Sequence, residues 1–193
     1  MGKDRHTQPS ARERILDAAG ALFYREGFHA VGIDTIIEES GSAKMTLYRH
    51  FPSKDALIAA YLERVDDNFW RWIDGLVAGI DRPVDKITAV FEGISALASS
   101  PEFLGCSFQM AALEFPAQEH QAHQIARAHK ETFRERMREW AGQAGLREPE
   151  ALANALLILM DGAWVAARVY GPQNPSRDVA DAAKALVDAH QRQ

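Results

Sequence analysis

Apolar residues recur along the chain at spacings of three and four, the period of helices that bury one face. The first run is Ile15, Leu16, Ala19, Leu22 and Phe23. Ser10-Ala11-Arg12-Glu13 precedes it as a capping box: the Ser10 hydroxyl accepts from an early backbone N–H and Glu13 reaches back to the cap. Gly27 marks its end. Two short segments follow, Ile33 to Glu39 and Ala43 to His50, joined by Ser40-Gly41-Ser42. Pro52 disfavours helix at Phe51, and Ser53 caps what comes next. From Ser53 to about Ile80 one long helix is predicted, with Leu57, Tyr61, Leu62, Val65, Phe69, Trp72, Ile73 and Leu76 as its stripe. Asp81-Arg82-Pro83 breaks the pattern, with Pro83 suited to a first helical turn, and helices are expected at about 84–98, 106–115, 119–142, 149–170 and 177–190. No alternating strand pattern, internal repeat or low-complexity tract is present. The predicted fold is all-α with about nine helices, in which the long fourth helix joins a small N-terminal bundle to a larger C-terminal one.

Composition adds little to this, but charge distribution does. The chain has 193 residues, 47% hydrophobic and 25% charged, ordinary values for a globular protein. Its net charge of −5 would oppose nucleic acid if evenly spread. Residues 1–54 instead hold eight Lys/Arg against seven Asp/Glu, a balance of +1, and the remainder holds fourteen against twenty, a balance of −6. Only the N-terminal part can approach phosphate without broad repulsion. Cys106 is the one cysteine, so no internal disulfide forms. No apolar run reaches the roughly 18 residues of a membrane span, and Met1 to Gln8 are polar, unlike a signal peptide. The expected location is cytoplasmic, without a membrane partner.

Two short helices around a glycine turn, with a third before them, have the layout of a helix-turn-helix. Ile33, Ile36 and Ile37 supply the apolar side of the first, Gly41 tolerates the left-handed turn, and Leu47 and Phe51 anchor the second. Lys44, Thr46, Tyr48, Arg49 and His50 are then free to reach phosphates or base edges. Lys54, in the first turn of the next helix, can bind a backbone phosphate beside free N–H groups. Charge alone would equally fit a solvated helix face, with Tyr48 covering the core. The ordered stretch from Gly41 to Lys54, reading GSAKMTLYRHFPSK, resembles the DNA-binding signature of TetR-type regulators, and Ile15 to Ala19, Leu22, Phe23, Gly27 and Phe28 agree with it. The resemblance covers about residues 10–65. It implies a DNA-binding domain over 1–54 and a ligand-binding and dimerisation domain over 55–193. It also implies nine helices, a dimer built by the last two, and a ligand cavity in the C-terminal bundle. Phosphate contacts then fall on Lys44, Tyr48, His50 and Lys54, and base-facing roles on Met45, Thr46 and Arg49. Three positions depart from the family pattern. Ser42 replaces an apolar residue under the turn, Ala43 replaces a capping Ser or Thr, with Ser42 as the alternative cap, and Met45 replaces a frequent Gly. Met45 would favour apolar base surface such as a thymine methyl.

Residues 151–170 are apolar nearly all round, so one face meets the core and another meets either a partner subunit or more core. The predicted interface is Leu156, Leu159, Ala163 and Ala167 with Val179, Ala183 and Leu186, in a two-fold dimer reading a pseudo-palindromic duplex operator. Trp70, Phe103, Phe108, Gln109, Met110 and Trp164 are the candidates to line a pocket for an apolar or aromatic small-molecule effector. Cys106 follows Gly105 near a helix start, where a redox role or simple burial are both open. Glu114, His120, His123 and His129 raise a metal site, but Pro116 separates Glu114 from the histidines, and a solvated polar face is the expected reading. No metal and no cofactor are expected. No phosphate loop, paired-Cys motif, nucleophile elbow or His-Glu-x-x-His occurs, so the chain is not read as an enzyme. The expected function is a transcriptional repressor released by a ligand. A helical small-molecule-binding protein without DNA activity is the alternative.

Overall fold

Residues 9–191 are described by a computed structural model; the reading of residues 1–8 as lacking a signal peptide lies outside them. Nine α-helices follow one another among these residues: α1 (Ala11–Glu26), α2 (Ile33–Ser40), α3 (Lys44–His50), α4 (Lys54–Leu76), α5 (Pro83–Ala98), α6 (Ser107–Glu114), α7 (Gln121–Gln143), α8 (Pro149–Tyr170) and α9 (Val179–Ala189). The local signals act as the sequence predicts. Ser10 and Glu13 form both halves of the capping box, at 3.2 and 2.7 Å, and the Ser53 hydroxyl accepts from Ala56 N–H at 3.0 Å. Pro83 and Pro149 open α5 and α8, where a missing N–H costs nothing. α4 stops at Leu76, short of Ile80, because a turn with Gly79 at φ +75° follows it. α7 starts two residues later than predicted because His120 caps it, its Nδ1 accepting from Ala122 N–H at 3.2 Å.

The helices enclose two apolar cores that meet along α4 and α7. One gathers Ile15, Phe23, Phe28, Ile36, Leu47 and Leu62 from α1–α4, and is completed by Phe108, Ala111 and Phe115 of the α6 region and Ala122 and Ala126 of α7. The other gathers Ile73, Phe91, Phe133, Met137, Leu156 and Met160 from the end of α4 through α9. The first half of α4 therefore belongs to the N-terminal core and its last turns to the C-terminal one. α6 packs chiefly on α7 and, through Phe108 and Ala111, joins the N-terminal core.

α8 is long and apolar enough to cross a membrane by length and composition. The sequence reading that no stretch reaches that length did not allow for Asp161 and Arg168 within one. Here α8 buries one face in the bundle, and Asp161 pairs with Lys130 at 2.5 Å. The residues expected at a partner surface divide accordingly. Leu156, Ala163, Ala167, Val179 and Ala183 are buried inside the protomer, while Leu159 and Leu186 keep partial exposure. A helix apolar on every side carries no phase to say which face turns inward. The outward apolar row on α8 consists of Ile158, Val165, Val169 and Tyr170, which are 71, 51, 67 and 66% exposed.

Candidate nucleic-acid interface and adjoining cavity

A helix as short as α3 has no stability of its own, so its position comes from anchors. Leu47 is fully buried and Phe51 nearly so, with the Arg12 guanidinium 5.2 Å above the Phe51 ring. The turn before it is set by Gly41 at φ +60°, ψ 28°. The N–H groups of Gly41 and Ser42 return to the carbonyls of Glu38 and Ile37, closing α2. A Cβ at Gly41 would meet nothing within 4 Å, so glycine is required there by conformation rather than by space. Ser42 does not cap α3. Ala43 holds that position without a side-chain bond, while Ser42 lies buried under the turn with its hydroxyl 3.4 Å from the Ser40 carbonyl.

With Leu47 inward, the opposite side of α3 faces outward. Lys44, Met45, Tyr48 and Arg49 are exposed, and Thr46, His50 and Lys54 are half-buried. Met45 is 86% exposed, so packing gives it no reason to be apolar. The Lys44 ammonium lies 3.0 Å from Asp34 at the start of α2, and that hydrogen bond and charge raise its pKa. Both partners are largely exposed, so a phosphate competes for Lys44 at little cost. The Lys54 ammonium donates to the His29 carbonyl at 3.4 Å, tying the start of α4 to the α1–α2 turn.

The same turn is held from the other side by α6. The Glu114 carboxylate accepts from Phe28 N–H at 3.0 Å and from His29 N–H at 2.6 Å, and its backbone carbonyl is 2.9 Å from His29 Nε2. Gly27, at φ +94°, makes room for this, since a Cβ there would lie 2.8 Å from Glu114 Oε1. Further back, the Tyr24 hydroxyl donates to Gly105 O at 3.2 Å and accepts from Leu104 N–H at 2.8 Å. Tyr24 and Glu114 are not legible as joints in the sequence, because their partners lie some 80 residues away.

Behind these joints lies a cavity of about 420 Å³, walled by side chains of α1, α4, α5, α6, α7 and α8 and by the loop before α6. Of the predicted pocket residues, Phe103, Phe108 and Trp164 line it. Gln109 and Met110 line a neighbouring groove of about 390 Å³ that shares Trp164. Trp70 lines neither; its indole N–H donates to Asp66 at 3.0 Å, and Arg136 stacks over its ring at 5.1 Å. Sequence reading missed Tyr24, Tyr61, Phe69 and His129 as lining residues. Tyr61 bonds Ser107 Oγ at 2.8 Å, and burial pushes its pKa up to about 12. Cys106 is half-buried on the cavity wall, with the Lys130 ammonium 3.7 Å from its sulfur. The residues that raised a metal site have separate tasks. Glu114 holds the α1–α2 turn, His120 caps α7, His123 Nδ1 lies 2.9 Å from Phe115 O, and His129 Nδ1 lies 2.6 Å from Asp66.

Burial holds His129 below its ordinary pKa of 6.5, outweighing the pull of Asp66 in the other direction. The unfolded chain therefore takes up a proton near pH 6.5 that the folded chain refuses. The resulting stability is complete above pH 6.5 and is lost as pH falls. Thermal melts between pH 7 and about pH 5 should show Tm dropping on acidification, and the drop should shrink in His129→Phe. An equal drop in both would remove His129 as its cause.

Residues 15–61 match the family described as bacterial regulatory proteins, tetR family. A TetR-family transcriptional regulator from Streptomyces coelicolor is similar over 94% of this chain and 96% of its own, with 32% identity and a TM-score of 0.90. A TetR regulator from Streptomyces avermitilis is similar over 96% of this chain and all of its own, with 31% identity and a TM-score of 0.86. The transcriptional repressor KstR2 of Rhodococcus jostii is 28% identical over 83% of this chain and 80% of its own length. Other curated relatives, from Mycobacterium tuberculosis, align over 77 residues, 38% of their own length. With its helix-turn-helix, nine-helix order and whole-length likeness to the Streptomyces proteins, the chain belongs to the tetR family of bacterial regulatory proteins and is a DNA-binding transcriptional regulator.

Proposed function

We propose that the chain works as a homodimeric, cytoplasmic repressor that releases its operator when a small apolar ligand enters the C-terminal domain. Residues 1–54 read DNA, and residues 55–193 bind the ligand and the partner subunit. The observation that carries this is the geometry of α3. Leu47 fixes it from within, while Lys44, Met45, Tyr48 and Arg49 stand outside with no packing role. Lys44, Tyr48, His50 and Lys54 contact phosphates, and Met45, Thr46 and Arg49 face bases in the major groove. The Rhodococcus relative, aligned across both domains, is a repressor, which favours repression for this chain.

Dimerisation uses the outward row Ile158, Val165, Val169 and Tyr170 of α8 with the exposed Ala182, Ala185 and Ala189 of α9. Small residues on one helix let the other approach closely. The two reading heads then address half-sites about one DNA turn apart. Release follows from the joints. A ligand in the cavity bears on Tyr24 and Tyr61 and on α6, whose Glu114 grips the α1–α2 turn. The ligand favours the dimer state whose heads are misplaced, shifting population by its differential affinity.

Fluorescence anisotropy on duplex DNA from upstream of the gene tests the reading surface. Lys54→Ala should weaken binding to all sequences alike and flatten the dependence of log K on log salt by about one unit per protomer. Unchanged affinity and slope would remove Lys54 from the contact surface.

A further inference from the structure

The cavity wall is aromatic and aliphatic, and most of its polar atoms are already bonded. Tyr24 is satisfied by Gly105 and Leu104, and Tyr61 and Ser107 satisfy each other. The Asn68 amide N–H and the Trp72 indole N–H also lie on the wall, but they are donors; His129 differs in offering an acceptor. Its residue is 3% exposed, its ring stacks on Phe108 with centroids 3.8 Å apart at 14°, and Phe69 meets it edge-on at 4.7 Å. Nδ1 is committed to Asp66 at 2.6 Å, and Asp66 is itself steadied by the Trp70 indole N–H. Among the described residues Nε2 has no hydrogen-bond partner, and since every side-chain nitrogen or oxygen fully shut off from solvent does have one, Nε2 must border open space. Because the ring lines the cavity, Nε2 is the polar atom it offers there.

The tautomer follows from the partner. An ionised carboxylate only accepts, so Nδ1 carries the proton and donates to Asp66, leaving Nε2 as a bare acceptor. We propose that His129 Nε2 is the polar recognition point of the effector cavity, and that the effector is a neutral aromatic hydroxyl compound of the phenol or naphthol class, whose O–H donates to Nε2. This rests on the reading of the cavity as the effector site. The ring system would lie among Phe69, Phe103, Phe108, Trp72 and Trp164, and about 420 Å³ lies within the range of small-molecule pockets. A carboxylate ligand is disfavoured, because it has no proton to give and would face a lone pair backed by Asp66. Lys130, the cation beside Cys106 on the cavity wall, is already paired with Asp161 at 2.5 Å.

The test is calorimetric titration of the full chain with 2-naphthol, 2-methoxynaphthalene and naphthalene, which share one body and differ in the donor. The wild type should bind 2-naphthol roughly tenfold more tightly than 2-methoxynaphthalene, against their order of hydrophobicity. In His129→Phe, which keeps a ring stacked on Phe108, that preference should fall to within about twofold while naphthalene affinity holds. A measurement on the unmutated protein guards against misfolding. The ¹⁵N resonance of His129 Nε2 should report an unprotonated nitrogen and should move on addition of 2-naphthol but not of 2-methoxynaphthalene. Equal binding of all three probes, or a preference that survives His129→Phe, overturns the assignment to His129 and leaves the cavity reading standing. Failure of all three to bind overturns the cavity reading and the assignment with it.

Discussion

A chain carrying Lys44→Ala and Tyr48→Ala should bind its operator at least a hundredfold more weakly than the wild type, with an unchanged melting temperature. Both side chains lie on the outer face of α3, and neither anchors it; Leu47 and Phe51 do that. Surface substitutions of this kind stay within about 0.5 kcal/mol in stability. Lys44 gives up only an exposed pair with Asp34, which contributes little. On DNA the loss is counted twice, once per protomer. A hydrogen bond to a charged acceptor contributes about 1.5 kcal/mol at the low end, and four lost contacts exceed a hundredfold even after generous allowance for non-additivity. Equilibrium anisotropy at fixed salt and a thermal melt, run together, decide it. Intact affinity would mean that α3 does not face the duplex. A collapsed melting temperature would mean that these side chains are structural.

The second large effect concerns self-association. Ile158 and Val165 are seven residues apart and so share one stripe of α8; they are 71 and 51% exposed in the isolated protomer. Replacing both by Asp should yield a folded monomer by analytical ultracentrifugation, because neither belongs to the buried core. Operator affinity should fall by about a hundredfold or more, the loss expected when two linked half-site contacts become independent. Leu156→Asp, at a position this protomer buries completely, should instead unfold the C-terminal bundle by stranding a charge in its core. A double variant that still sediments as a dimer would place the interface elsewhere.

The contrast between those positions shows what was readable in the sequence. Signals acting over a few residues were legible: the Ser10–Glu13 box, Gly41 in its left-handed turn, Pro83 and Pro149 opening helices, and Leu47 as the inward residue of α3. Helix phase was legible wherever polar residues marked the solvent side. On α8 they do not, so the pattern does not separate the inward Leu156 and Ala163 from the outward Ile158 and Val165. Long-range pairs were invisible, since nothing near Glu114 announces the His29 N–H 85 residues before it. Likewise nothing near His129 announces Asp66, 63 residues before it. Aromatic content points to a cavity among these helices but places only part of its lining. Phe103, Phe108 and Trp164 reach it, while Trp70, two residues from Trp72 on the same helix, points to Asp66 instead.

Hydroxyl-radical footprinting of the upstream duplex tests the reading of DNA by two α3 helices most directly. Two protected patches are expected on one face of the DNA, symmetric about a dyad and centred about one helical turn apart, both lost in the Lys44→Ala, Tyr48→Ala chain. A single patch without symmetry, or protection that persists in that variant, would contradict it.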